Sequence, residues 1–207
     1  MGSRGAARAG AHRRRSVAVP PGPAVRAEVR DRLGAAEEDR IALFVGHGYR
    51  RKGLPVAVEA FARAARPGDR LLVAGADAHA ARWLGPARDR LGDRLVPLGA
   101  VDPARWLPAA DALVLPTRYD AASNAVLEAL AAGVAPVASA CDGASERIVD
   151  RRLVVGDPAD VQGFTRALRY AWETPVLGAR RRAADAGWPE ARMTSSVEHI
   201  LVETAHG

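Results

Sequence analysis

The chain has 207 residues, of which 48% are hydrophobic, 26% charged and only 5% aromatic. This describes one globular domain packed from small aliphatic side chains, and the length leaves no room for two full domains. The formal charge of +6 sits at one end: Arg4, Arg8, Arg13, Arg14 and Arg15 supply five positive charges and no acid precedes Glu28, so the remainder is near neutral and gives no basis for a nucleic-acid partner.

Residues 1–15 are Gly/Ala/Arg-rich and read as a disordered basic leader. Residues 16–40 open with SVAVPPGPA, a short apolar run entering a Pro-Pro-Gly turn, and read as an interdomain-type linker. From Ile41 onward six apolar runs (41–46, 70–75, 94–99, 112–116, 135–139 and 152–156) alternate with helical stretches near 54–65, 78–91, 103–110, 122–132, 144–150 and 158–173. The expectation is a doubly wound α/β domain over 41–173, a Rossmann-like parallel sheet of about six strands with helices on both faces. Two further helices are expected over 174–207, the second with Met193, Val197, Ile200 and Leu201 on one apolar stripe that needs a surface to cover it.

Cys141 is the only cysteine, so an internal disulfide or a cysteine-rich metal site is excluded. No run reaches the roughly 18 apolar residues of a membrane span, and no apolar core follows the leader as in a signal peptide. A cytoplasmic protein is expected, with membrane contact at most peripheral, at the inner face.

Ligands of open α/β sheets bind outside the carboxyl ends of the strands, so the loops that follow each strand are where chemistry is sought. The first, Gly46-His47-Gly48-Tyr49-Arg50-Arg51-Lys52-Gly53, joins glycines that permit close backbone approach to three consecutive cations suited to a diphosphate. Lys52 is the only lysine among thirty Lys and Arg residues, which points to a site wanting a compact ammonium. A solvated basic loop is the plain alternative, and GxxxxGK[ST] is absent.

The fourth loop continues into a helix as Tyr119-Asp120-Ala121-Ala122-Ser123-Asn124-Ala125-Val126-Leu127-Glu128. Asp120 reads as the N-cap of a helix ending at Gly133, with the free N–H groups of Ala121 to Asn124 facing a diphosphate. Glu128 is a lone carboxylate among aliphatics and needs donors, either a core arginine or ligand hydroxyls. On one helix the two acids would stand about 12 Å apart, too far for the roughly 5 to 9.5 Å of a glycosidase pair, whereas a nucleoside diphosphate sugar is long enough to engage both.

Taken in order, VAVPPG, FVGHGYRRKG, LLVAG, LVPLGAVD, AADALVLPT, YDAASNAVLEALAAGVAPVAS and CDGASERIV resemble the C-terminal, donor-binding domain of family-four retaining glycosyltransferases of the GT-B fold, and especially the bacterial lipopolysaccharide core glucosyltransferase I type. The acid-x7-acid pattern of that family is usually Glu and Glu; here the first acid is Asp120, one methylene shorter. The resemblance implies that Arg51 and Lys52 bind the donor diphosphate, with Gly46 and Gly48 beside it. Glu128 would take the ribose, and Asp120 with the amides of Ala121, Ala122, Ser123 and Asn124 the sugar. Gly99 to Val101 would lie near the base. It implies a UDP-sugar as donor substrate, no tightly bound cofactor and no metal, and assigns His47 no role. It also implies an acceptor half, absent from this sequence, that a separate N-terminal domain or self-association would replace. Three readings follow: a hexosyltransferase acting with retention through its donor domain, a non-catalytic nucleotide-sugar-binding module, and another doubly wound protein such as a sugar-nucleotide epimerase, against which the absence of GxGxxG after the first strand speaks.

Overall fold

The computed structural model describes residues 23–174. Its centre is a six-stranded, wholly parallel sheet in the order β3-β2-β1-β4-β5-β6, formed by β1 (Ile41–Val45), β2 (Arg70–Ala74), β3 (Leu95–Gly99), β4 (Ala112–Leu115), β5 (Ala135–Ser139) and β6 (Val154–Val155). The inner strands are apolar at their centres because both of their faces are covered: Ala42, Leu43, Leu72, Val73, Leu113 and Val114 are fully buried.

Helix α3 (Leu54–Ala64) buries Leu54, Ala57, Val58, Phe61 and Ala64, a stripe at helical spacing. It packs against α4 (Ala80–Leu91) and α6 (Val161–Glu173), whose Phe164, Ala167, Leu168 and Ala171 form the matching stripe. Asp160 starts α6 by accepting from the Gly163 N–H at 2.9 Å. Because the chain runs outward from β1 to β3 and then returns to place β4 beside β1, the right-handed crossovers put α3 and α4 on one face and α5 (Asn124–Ala131) on the other. The point of reversal lies between β1 and β4.

Four local expectations are corrected. The stretch expected as linker contains helix α1 (Pro23–Arg32), tied down by Arg26, which donates to the Pro108 and Ala109 carbonyls at 3.0 and 2.9 Å, and by Arg30, whose guanidinium donates to the Ala36, Glu37 and Asp39 carbonyls. The helix expected at 103–110 is two 3-10 turns, Pro103–Arg105 and Leu107–Ala109, since Pro108 has no N–H to carry a helix through. The one expected at 144–150 is a 3-10 turn, Gly143–Arg147, followed by a second at Arg151–Leu153, each begun by an Asp side chain accepting from the N–H two residues on (Asp142 from Ala144, Asp150 from Arg152). The cation loop is itself helical, a single turn α2 (Tyr49–Lys52) between Gly48 and Gly53. The basic leader, VAVPPG, both C-terminal helices and the Met193–Leu201 stripe lie outside the described residues.

Candidate donor site at the sheet reversal

The loops after β1 and β4 meet where the strand order reverses, and they bring the predicted cations to the predicted acid. Lys52 Nζ donates to Asp120 Oδ2 at 2.7 Å and an Arg51 guanidinium N–H donates to the same oxygen at 2.9 Å. Arg51 also donates to the Tyr119 carbonyl at 3.0 Å, and its own carbonyl accepts from the Arg118 N–H at 2.8 Å, so the two loops are laced by backbone as well as charge.

Glycines make this approach possible. Gly53 has φ +80°, and a Cβ there would stand 2.0 Å from the Pro116 carbonyl oxygen, so only glycine lets α2 and α3 join at this distance from β4. A Cβ on Gly46 would meet Lys52 Cγ at 2.6 Å. The lysine stem passes through the space that a side chain at 46 would fill, and Lys52 is 7% exposed. The ammonium at the end of this stem is a compact point charge, directed at Asp120 Oδ2.

Burial by itself would push the Asp120 carboxyl up, but the hydrogen bonds from Lys52 and Arg51 and their charges outweigh it and hold this group below the ordinary aspartate value. Asp120 is thus an ionised, doubly paired carboxylate, and with two cations against one acid the cluster keeps a net positive charge.

Asp120 does not cap α5, which corrects the sequence-based expectation. The segment is pinned like a short strand instead: the Asp120 N–H donates to the Cys141 carbonyl at 3.2 Å and the Asp120 carbonyl accepts from Gly143 at 3.0 Å. The helix starts four residues later, with Ser123 in extended conformation at the N-cap position. The acid-x7-acid interval is therefore not one helix, and the 12 Å spacing estimated for a continuous helix does not apply.

What holds the start of α5 is Asp142, which sequence reasoning missed. Fully buried, its Oδ1 accepts from the Ser123 and Ala144 N–H groups at 3.0 and 3.1 Å, and its Oδ2 from the Ser123 hydroxyl at 2.5 Å. The Ser123 N–H is therefore engaged, whereas those of Ala121, Ala122 and Asn124 have no protein partner among the described residues. An Asp in a CDGAS loop looks like any turn residue, so only the tertiary contact reveals it. Glu128, expected to be buried, is half-buried on the second turn of α5 and is not without a partner. Gly99, at φ +70°, ends β3 at the far side of the sheet, with Val101 just beyond it. His47 is exposed and accepts through Nδ1 from the Ala76 N–H at 3.2 Å, a local turn contact.

A model of the family described as glycosyl transferases group 1 matches residues 39–174, the span that holds the whole of this sheet and its site. The chain belongs to that family. Among curated relatives, the D-inositol 3-phosphate glycosyltransferase of Geodermatophilus obscurus is 35% identical over 206 residues, covering 86% of this chain and 46% of that protein. Among solved structures, WaaG, a glycosyltransferase involved in lipopolysaccharide biosynthesis, matches at 25% identity with a TM-score of 0.69, over 91% of this chain and 56% of WaaG. Anabaena HepE in complex with UDP-glucose matches at 17% identity with a TM-score of 0.68, over 88% of this chain and 54% of HepE. The chain thus spans about half the length of these proteins, and its single Rossmann-like sheet corresponds to one half of a GT-B fold. Among the described residues, no helix is long and apolar enough to cross a membrane.

Proposed function

We propose that this group 1 glycosyltransferase chain supplies the donor half of an enzyme that transfers a hexosyl group from a nucleoside diphosphate sugar, most simply a UDP-sugar, with retention of configuration. The observation that carries this reading is the meeting of Arg51, Lys52 and Asp120 beside the start of α5 at the sheet reversal. A diphosphate there faces two cations and the N–H end of a helix, the charge distribution that stabilises a leaving group as it gains negative charge. The UDP-glucose complex of the similarly folded HepE supports the choice of nucleotide.

In this reading Arg51 and Lys52, with Gly46 and Gly48 beneath, take the diphosphate. Asp120 and the amides of Ala121, Ala122 and Asn124 take the sugar, Glu128 the ribose, and the Gly99 to Val101 turn lies by the base. Ser123 acts through its bonds to Asp142, holding the helix start in place. Since the Asp120 carboxylate is committed to two cations, it is a poor nucleophile. That suits same-face attack by an acceptor assisted by the leaving phosphate, with no glycosyl-enzyme intermediate. The acceptor, a glycan or lipid, belongs to the half that the relatives have and this sequence does not span, and action from the cytoplasmic side is part of the same proposal.

Saturation-transfer NMR on the chain with UDP-glucose, UDP and free glucose tests the donor assignment. The account expects saturation of the uridine and glucosyl protons of UDP-glucose and none of free glucose; absence of transfer to both UDP and UDP-glucose would overturn it.

A further inference from the structure

The carboxylate of Asp120 uses its two oxygens unequally. Lys52 and Arg51 both donate to Oδ2, at 2.7 and 2.9 Å, while Oδ1 accepts from no donor among the described residues. One oxygen is committed to the cations and the other is open, on a side chain that is 19% exposed.

Both sides of this contact are held in place. Lys52 is buried, with its stem in the space beside Gly46. Asp120 is tied through its backbone, its N–H donating to the Cys141 carbonyl and its carbonyl accepting from the Gly143 N–H. Gly143 itself lies so close to the next residue that a Cβ on it would stand 1.9 Å from the Ala121 carbonyl oxygen. The carboxylate is thus a counter-charge anchored beside the cations, which keep it ionised at neutral pH. A phosphate that comes to Lys52 and Arg51 has to share their N–H donors with Asp120 and to lie near its negative charge.

We propose that Asp120 sets the preference of this site between the sugar-bearing donor and the free nucleoside diphosphate left after transfer, by acting as a counter-charge to Lys52 and Arg51. The inference rests on the donor reading above and deepens it. The two ligands differ at the terminal phosphate. In the donor that phosphate is esterified by a sugar, whose hydroxyls can donate to the open Oδ1. In the product it is unesterified, carries about one more negative charge at neutral pH, and brings no hydroxyl. Repulsion from Asp120 therefore falls more heavily on the product, and only the donor offers a hydrogen bond in exchange. Such a preference is a difference of two affinities, and a group that repels the unwanted ligand raises it as well as a new attraction to the wanted one does. Two cations without Asp120 would hold the product diphosphate tightly; with Asp120 beside them the product leaves more readily.

Calorimetric titrations of UDP, inorganic pyrophosphate and UDP-glucose into the wild type and into Asp120→Asn test this, with circular dichroism to show that the variant is folded. The expected result is binding of UDP and pyrophosphate at least about fivefold tighter in Asp120→Asn, with UDP-glucose tightened less, so that the ratio of the two nucleotide affinities shifts at least about threefold toward UDP. Asp120→Glu, which restores the charge, should return the UDP affinity to within about twofold of the wild type. A merely structural role would not produce this gain, because a loosened site loses affinity for every ligand. Should Asp120→Asn fail to fold, Asp120→Ala carries the same comparison with the same expected direction. UDP affinity that is unchanged or lower in a folded neutral variant would overturn the proposal, as would a gain shared equally by UDP and UDP-glucose. Those outcomes leave the donor reading standing, since the wild type still binds the nucleotides. Failure of UDP and UDP-glucose to bind either the wild type or the variant would instead overturn the donor reading and this inference with it.

Discussion

Asp120 accepts from Lys52 and Arg51 through one oxygen, and both contacts are charge-assisted. Its pKa in the folded chain lies below the ordinary aspartate value, so protonation favours unfolding. Its contribution to stability is intact above pH about 3.8 and is lost as the pH falls through the lower folded value. An Asp120→Asn variant should therefore differ from the wild type in denaturation midpoint at pH 7, with the gap closing under acid titration below about pH 3.8. A gap that persists unchanged to the acid limit would mean that the ion pairs contribute nothing. The meeting of these three residues was legible in the sequence only in part. The cations and the acid stood out by type, and the lone lysine by its rarity, but their direct contact was hidden because it depends on Gly46 and Gly53 admitting close approach. Pattern reading placed Asp120 at a helix cap, where aspartates are favoured; the pull of Lys52 and the strand-like pairing to Cys141 and Gly143 won instead.

At the level of elements, the first turn of α5 is fixed from outside. Asp142 satisfies the Ser123 N–H and hydroxyl together with the Ala144 N–H. Asp142→Ala should destabilise the chain by about 1 to 3 kcal/mol for the buried donors left unpaired, whereas Asp142→Asn, which keeps one acceptor oxygen, should lose less. Urea denaturation of the two variants measures this, and equal, negligible losses would show that α5 starts without help. Further along the helix, Glu128→Gln should flatten a preference for ribose over deoxyribose donors, because an amide presents one acceptor where the carboxylate presents two. Competition between UDP and dUDP reads this out; an undiminished preference would remove the ribose assignment. The strands were plain in the sequence, since runs such as IALFV and ALVL leave little else for a buried segment to be. The short 3-10 turns and α1 were not, because Pro108 and the arginine contacts of α1 act through geometry that hydrophobic periodicity does not register.

Over the whole molecule, one reversal of strand order decides where function can reside. It brings the two loops richest in charge together and leaves α4 and α5 on opposite sides of that junction. Sequence patterning predicted this architecture, because alternating buried strands and amphipathic helices have few other ways to close a core. The identity of the junction residues as a donor site is tested most directly by calorimetric titration of UDP-glucose into the wild type and into the Arg51→Ala/Lys52→Ala double variant. If both side chains make charged hydrogen bonds to the diphosphate, at roughly 1.5 to 3 kcal/mol each, affinity should fall by at least a hundredfold while the fold is retained. Unchanged affinity in a folded double variant would contradict the account.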